Sequence, residues 1–138
     1  MKYNLDIESV RRSFHSIDIT GQGTISVTQC SSQFTEVKID IPSLKQLLSY
    51  MNEKTEITLD IFIKLSHILK NYSNQPYHLA FLVSDTDYAL SLNSTQLKIA
   101  FKRLDIDVKM DILEDLCQTL GENGRVEFAT FSQLVAIL

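Results

Sequence analysis

The sequence lacks tryptophan and contains only two prolines, four glycines, two cysteines and three methionines in 138 residues. So few prolines and glycines favour long helices joined by few turns. No apolar run approaches the roughly 20 residues that a membrane-spanning helix requires. The first residues, MKYNLDIES, contain no apolar signal core and do not fit a myristoylation site. We therefore expect a soluble intracellular protein that does not insert into membranes.

Basic charge is also scarce, with 13 Lys and Arg against 17 Asp and Glu and a formal net charge of −4. This balance argues against non-specific nucleic-acid binding and suits basic partners, including basic helices. Cys30 and Cys117 are far apart and show no metal-ligand spacing. We interpret both as small buried hydrophobic residues in a reducing compartment.

Catalytic motifs are missing as well. The sequence contains no glycine-rich phosphate loop, nucleophile elbow or zinc-ligand spacing. His15, His67 and His78 lie in predicted helices, with no recurring carboxylate or cysteine around them. We interpret these histidines as surface or groove residues, and we assign no enzyme activity and no cofactor.

Residues 85–96 have the frame of a helix–loop–helix calcium hand, in which alternate loop residues point oxygen ligands inward. Oxygen-bearing residues remain at loop positions one, three and nine, namely Asp85, Asp87 and Asn93. However, Ala89 offers no side-chain oxygen at position five, and Leu90 stands at position six, where a sharp turn favours glycine. Gln96 replaces the glutamate that would close the cage with two oxygens.

A second loop, residues 18–29, keeps the same frame with less charge. Its oxygen-bearing side chains at positions one, three, five and nine are Asp18, Thr20, Gln22 and Ser26. Position twelve is again glutamine, Gln29, so a bidentate carboxylate is absent here too. We expect no physiological metal site, although weak calcium or magnesium binding stays open at either loop. We interpret Asp18 and Asp85 as carboxylates that bond loop amides and hold the turn.

The two halves of the chain repeat each other. A shift of 67 residues aligns the longer loops, so that Asp18 falls on Asp85 and Phe34 on Phe101. A shift of 69 residues aligns two further loops, around residues 51–57 and 120–126, which are too short for an ion cage. The repeat therefore predicts four helix–loop–helix units.

These units predict an all-α protein of two lobes. The N-terminal lobe spans residues 1–70, the polar segment 71–76 is the linker, and the C-terminal lobe spans residues 77–138. Each lobe should contain one two-stranded ladder, which pairs Ile25 with Ile57 and Leu92 with Val126. The second helix should continue along the apolar face formed by Cys30, Phe34 and Val37.

Over nearly its whole length, the chain resembles the calmodulin (EF-hand) superfamily, through the spacing of its loops more than through identity. It most resembles the essential light chains of myosin, and its shortened loops are similar to those of divergent apicomplexan light chains. The resemblance implies a cytoplasmic protein that clamps the basic amphipathic helix (IQ motif) of a myosin heavy chain in an actomyosin motor. Such a light chain stiffens the lever arm largely without calcium, and whether a second light chain sits alongside is left open.

The alternative is a calcium sensor or buffer like calmodulin or a centrin, which requires at least one working loop. The scarcity of methionine favours one dedicated partner over many. The apolar residues predicted to hold the partner helix are Phe34, Leu47, Leu48, Met51, Phe101, Leu116, Cys117 and Leu120. Part of this set belongs to the lobe cores, and the sequence does not separate core from groove.

Overall fold

A computed structural model of the chain describes residues 6–34, 41–51, 53, 56–73 and 75–138. These residues are mostly helical, as predicted, and form eight helices and four two-residue strands. The helices are α1 (Ile7–Ile17), α2 (Val27–Ser31), α3 (Ile41–Tyr50), α4 (Leu59–Asn71), α5 (His78–Ser84), α6 (Ser94–Arg103), α7 (Met110–Leu120) and α8 (Phe128–Ile137). The strands are β1 (Thr24–Ile25), β2 (Ile57–Thr58), β3 (Ser91–Leu92) and β4 (Val126–Glu127). None of the described helices is long and apolar enough to cross a membrane.

The chain divides into two compact units, an N-terminal unit, Leu5–Lys70, and a C-terminal unit that contains Asn71–Leu138. The predicted linker, residues 71–76, groups with the C-terminal unit. The backbone amide of Ser73 donates to Nδ1 of His78 at 3.1 Å, and Oγ of Ser73 lies 2.8 Å from the same nitrogen. These contacts tie the segment to the start of α5.

The predicted ladders are confirmed in register. Strands β1 and β2 pair antiparallel with Ile25 opposite Ile57, and β3 and β4 pair antiparallel with Leu92 opposite Val126. All four side chains are buried. Each ladder joins a longer loop to a shorter one within the same unit, so neighbouring helix–loop–helix elements are fixed to each other there.

The prediction for the second helix is wrong in its length, because α2 ends at Ser31 and Phe34 lies beyond it. Val37 falls outside the described residues. The hydroxyls of Ser31 and Ser32 donate to the carbonyl oxygens three residues earlier, at 2.9 and 2.7 Å. Serine side chains that bond nearby carbonyls compete with helix propagation. The aligned helix α6, rich in good helix formers, runs for ten residues.

An aromatic triad repeats in the two cores. In the N-terminal unit, the ring of Phe62 lies 5.7 Å from that of Phe14 and 5.6 Å from that of Phe34. In the C-terminal unit, the corresponding distances from Phe131 to Phe81 and Phe101 are 5.6 and 5.4 Å. Burial of such side chains contributes about 1.5–3 kcal/mol each, so each triad stabilises the core of its unit.

Among the histidines, only His15 is exposed. His67 and His78 are buried, contrary to the prediction, because both lie on the inward faces of α4 and α5. Burial lowers the pKa of His78. The two cysteines are buried, as predicted, and neither forms a disulfide. Burial raises the pKa of Cys30 to about 12.

Candidate functional site

The turn of loop 3 (residues 85–96) is built around the carboxylate of Asp85, which is 1% exposed. Its two oxygens accept hydrogen bonds from the backbone amides of Ala89 and Leu90, at 3.0 and 2.9 Å. In loop 1 (residues 18–29), the carboxylate of Asp18 accepts the equivalent pair of amide hydrogens, at 3.0 and 2.8 Å. The prediction that these two carboxylates hold the turns is confirmed.

Loop 3 keeps the turn despite having no glycine. Tyr88 and Leu90 adopt left-handed backbone conformations, with φ of 57° and 58°. The aligned positions in loop 1 are Gly21 and Gly23, with φ of 69° and 84°. A side chain in this region costs about 1–2 kcal/mol per residue relative to glycine, so other contacts of loop 3 must offset this strain.

The glutamine at position twelve begins a helix in both loops. Oε1 of Gln96 accepts from the amide of Asn93 at 2.9 Å, while the Gln96 amide donates to Oδ1 of Asn93 at 2.9 Å. Gln29 and Ser26 form the same reciprocal pair, at 2.9 and 3.1 Å. Each pair is a capping box that satisfies free amides at the helix start. The residue that would clamp an ion is therefore occupied in helix capping.

In loop 3, the guanidinium of Arg125 lies among the loop oxygens. Nη2 of Arg125 lies 3.0 Å from each carboxylate oxygen of Asp87 and 2.8 Å from the carbonyl oxygen of Ser91. It also lies 3.2 Å from Oε1 of Gln96, and Nε of Arg125 donates to Oγ of Ser91 at 2.8 Å. These contacts involve loop positions three, seven and twelve, which are among those that supply calcium ligands in a working hand.

Arg125 reaches this place because a tight turn precedes β4. The amide of Glu122 donates to the carbonyl of Arg125 at 2.8 Å, and the amide of Arg125 donates back at 3.1 Å. Asn123 and Gly124 between them have φ of 57° and 73°, which is the two-residue turn that an Asn-Gly pair favours. Gly121 is also required, because a Cβ there would lie 2.4 Å from the carbonyl oxygen of Arg125.

Position twelve is adapted to the guanidinium rather than to a divalent ion. Nε2 of Gln96 donates to Oγ1 of Thr86 and to Oδ1 of Asp87, both at 3.1 Å. An ionised glutamate could donate neither bond. Desolvation raises the pKa of Asp87, but the hydrogen bond from Gln96 and the charge of Arg125 together leave it below its ordinary value. Asp87 is therefore ionised and already paired at neutral pH.

The residues of loop 3 do not fit a calcium ion. The oxygens of Asp87 are engaged by Arg125 and Gln96, and those of Asp85 accept backbone amides. Ala89 supplies no ligand at position five. Within the described ranges, no group of three or more His, Cys, Asp or Glu side chains could hold a metal ion. Loop 1 offers only one carboxylate, Asp18, and both of its oxygens accept backbone amides.

Sequence reasoning missed Arg125. The usable signal was a basic residue immediately before the strand that pairs with loop 3, preceded by an Asn-Gly turn. A glutamine rather than a glutamate at position twelve was a second signal, because it leaves the loop less able to neutralise a divalent ion. Joining the two signals requires knowing that the side chain of Arg125 reaches across the β3–β4 ladder.

The predicted partner-binding residues fall into three groups by exposure. Leu48, Phe101 and Cys117 are at most 2% exposed and belong to the cores. Leu47, on α3, and Met51, directly after it, are buried but each 8% exposed. The residues with accessible surface are Phe34, Leu116 and Leu120.

Helix α7 carries an accessible apolar stripe that the prediction covered only in part. Ile112, Leu116 and Leu120 are spaced four residues apart and so lie on one face. Ile112 and Leu120 are 47% and 51% exposed, and Leu116 is half-buried. The buried face of α7, with Leu113 and Cys117, lies beside this stripe.

Acidic side chains border the stripe. Asp111 and Asp115 lie on its other side, away from the buried face. Together with Ile112, Glu114 and other polar residues they line a groove of about 610 Å³ that also includes Ser94 of α6. Helix α7 contains no basic residue. Of the stripe, only Ile112 lines this groove, whose other lining residues are polar or acidic. The apolar stripe and the acidic groove therefore lie side by side on α7.

No family model matches the chain. No curated protein matches it either. Among solved structures, the chain is similar to a homologue of programmed cell death 6 protein from Leishmania major Friedlin. The two share 21% sequence identity with a TM-score of 0.37, and the match covers 91% of this chain and 73% of the other.

Proposed function

We propose that this protein is a non-enzymatic binding module that holds a basic amphipathic helix without calcium. The observation that carries the proposal is the apolar stripe of Ile112, Leu116 and Leu120 beside the carboxylates of Asp111 and Asp115. An amphipathic helix could place its apolar face on the stripe and its basic residues beside the acids.

Calcium independence follows from loop 3, whose oxygens are paired within the protein. In a sensor, ion binding opens the helix pair and exposes the groove. Here the stripe on α7 is already accessible, with Arg125 in place of an ion. Binding would therefore not wait for a calcium signal.

More specifically, we propose that the protein is a light chain that holds the IQ helix of a myosin heavy chain and stiffens the lever arm. An acidic protein and a long basic helix are complementary in charge. The test is purification from the native cell with a chelator present, followed by reconstitution with the IQ peptide of any myosin recovered. If that peptide does not bind the purified protein, the proposed role as a myosin light chain is wrong.

The apolar stripe is tested with a synthetic basic amphipathic helical peptide, by fluorescence anisotropy in the presence of a chelator. Leu120→Ala should weaken binding about 30-fold, since truncation of a buried anchor costs about 2 kcal/mol or more. Because Leu120 is 51% exposed in the free protein, its truncation should leave stability nearly unchanged. Ile19→Ala, a truncation at an 88% exposed position of the N-terminal unit, is the matched control and should bind normally.

The acidic residues beside the stripe should affect the rate of association more than the affinity. Asp115→Asn should slow association and flatten its salt dependence, while Glu114→Gln should barely change affinity at physiological salt. If neither Leu120→Ala nor Ile112→Ala changes binding, the apolar stripe does not bind the helix. The calcium-sensor alternative is tested separately by calorimetric titration, in which micromolar binding to the unmodified chain would displace the proposal.

A further inference from the structure

We propose that the guanidinium of Arg125 is the permanent cation of loop 3, which excludes divalent ions and holds the loop in shape without metal. This role of Arg125 concerns loop 3 alone. It does not depend on whether the stripe on α7 binds a helix. It rests on the geometry around one nitrogen atom.

Nη2 of Arg125 lies within 2.8–3.2 Å of four oxygens, two from Asp87 and one each from Ser91 and Gln96. Nη2 of Arg125 carries only two hydrogens, so it cannot donate a full hydrogen bond to each of the four oxygens. The oxygens therefore stabilise the positive charge of the guanidinium as well as accept its hydrogens. A calcium ion would require the same oxygens at 2.3–2.6 Å. The nitrogen and the ion therefore cannot occupy the loop together.

Several independent contacts hold Arg125 in this position. The side chain of Arg125 is 25% exposed, and Gln96 is buried. The backbone of Arg125 is held by the Asn123–Gly124 turn, and Nε is held separately by the hydroxyl of Ser91. An exposed ion pair alone would contribute little, but here one side chain bonds three loop positions at once.

The guanidinium also explains how loop 3 tolerates its strained backbone. Tyr88 and Leu90 are held at positive φ between Asp85 and Ser91. Arg125 fixes the second end of this segment through the carbonyl and hydroxyl of Ser91. In a calcium hand the ion performs this bridging, since its ligands come from both ends of the loop.

The test compares the full chain with Arg125→Met, which keeps most of the stem and removes the charge. Terbium binding is read by emission excited through tyrosine, and calcium binding by competition. The unmodified chain should bind neither ion up to about 1 mM. Arg125→Met should bind terbium, with a calcium dissociation constant of about 1 mM, as expected for a hand with few charges.

The same variant should lose about 4–8 °C of melting temperature in the absence of metal, and calcium should restore part of the loss. Arg11→Met is the matched control, because Arg11 forms an exposed ion pair with Glu8 at 3.8 Å outside the loops. Arg11→Met should show neither the loss nor the response to calcium.

Two further variants keep the proposal falsifiable. Arg125→Lys retains a cation and should still exclude terbium, since an ammonium can sit among the same oxygens as a point charge. Asp87→Asn combined with Arg125→Met should abolish the new terbium site. If Arg125→Met does not fold alone, calcium should restore its helical circular dichroism signal, and failure to do so would overturn the proposal.

Variants of Gln96, at position twelve, provide a further test. Gln96→Glu alone should not create a calcium site, because Arg125 then pairs with the new carboxylate. Combined with Arg125→Met, the same change should tighten calcium binding well beyond that of Arg125→Met. Calcium binding by the unmodified chain, or by Gln96→Glu alone, would contradict the assignment of Arg125 as the resident cation.

Discussion

In the N-terminal unit, the residue that aligns with Arg125 is Glu56, and position three of loop 1 is Thr20 where loop 3 has Asp87. The second carboxylate and the arginine that pairs with it are thus both present in one unit and both absent from the other. In loop 3, the carboxylate of Asp87 is paired with Arg125 from the neighbouring short loop, whereas loop 1 keeps a single carboxylate that accepts backbone amides.

The backbones differ in a complementary way. Loop 1 makes its two left-handed turns with Gly21 and Gly23, which adopt such conformations at little cost. Loop 3 makes the same turns with Tyr88 and Leu90. The shape of this loop can therefore be maintained either by glycines or by additional hydrogen bonds and ion pairs. A metal ion is only one source of such contacts.

The largest expected difference between the units comes from Gly121→Ala set against Gly21→Ala. A Cβ at Gly121 would lie 2.4 Å from the carbonyl oxygens of Arg125 and Cys117, so the backbone must shift, at a cost of about 3 kcal/mol. A Cβ at Gly21 meets open space and only the strain of positive φ, about 1 kcal/mol. Hydrogen exchange of α7 and α1 measures each unit in the same sample, and equal losses would contradict the comparison.

A second difference is in pH dependence. His78 is buried, its ring stacks 4.2 Å from that of Phe128, and burial lowers its pKa, whereas the aligned residue is the exposed Arg11. A lowered folded pKa means that the unfolded chain takes up the proton first. Stability should therefore be full above about pH 6.5 and fall as pH decreases toward the folded pKa.

Hydrogen exchange between pH 7.5 and 5 should show this loss in α5 and α8, and less of it in α1. His78→Gln removes the titrating group and should flatten the dependence, although it lowers stability at every pH. A slope that survives in His78→Gln would have to come from another group.

The smallest effect is expected from transplanting the pair into loop 1. Glu56→Arg alone should change stability by no more than about 0.5 kcal/mol, because Thr20 offers no carboxylate. Combined with Thr20→Asp, it should add at most about 1 kcal/mol, the usual limit for an exposed ion pair. A double-mutant cycle by urea unfolding isolates this coupling, and a value near zero would show that the C-terminal pair depends on its neighbours.

The sequence by itself determined the helix–loop–helix units, the register of both ladders and the role of Asp18 and Asp85. These features depend on local patterns, namely apolar spacing, turn residues and an internal repeat, and each half of the chain confirmed the other. The length of α2 was not predicted, since a stripe of apolar residues does not show where serine hydroxyls will compete for helix carbonyls.

Only the tertiary structure decided which apolar residues are accessible and what replaces the ion in loop 3. Leu116 and Cys117 are adjacent and were both predicted to hold the partner helix, yet Cys117 is buried and Leu116 is half-buried. Arg125 is 38 residues from Asp87 in sequence, and the two meet because the β3–β4 ladder brings their loops together. Periodicity assigns a residue to a face of its helix, but what lies against that face depends on segments distant in the chain.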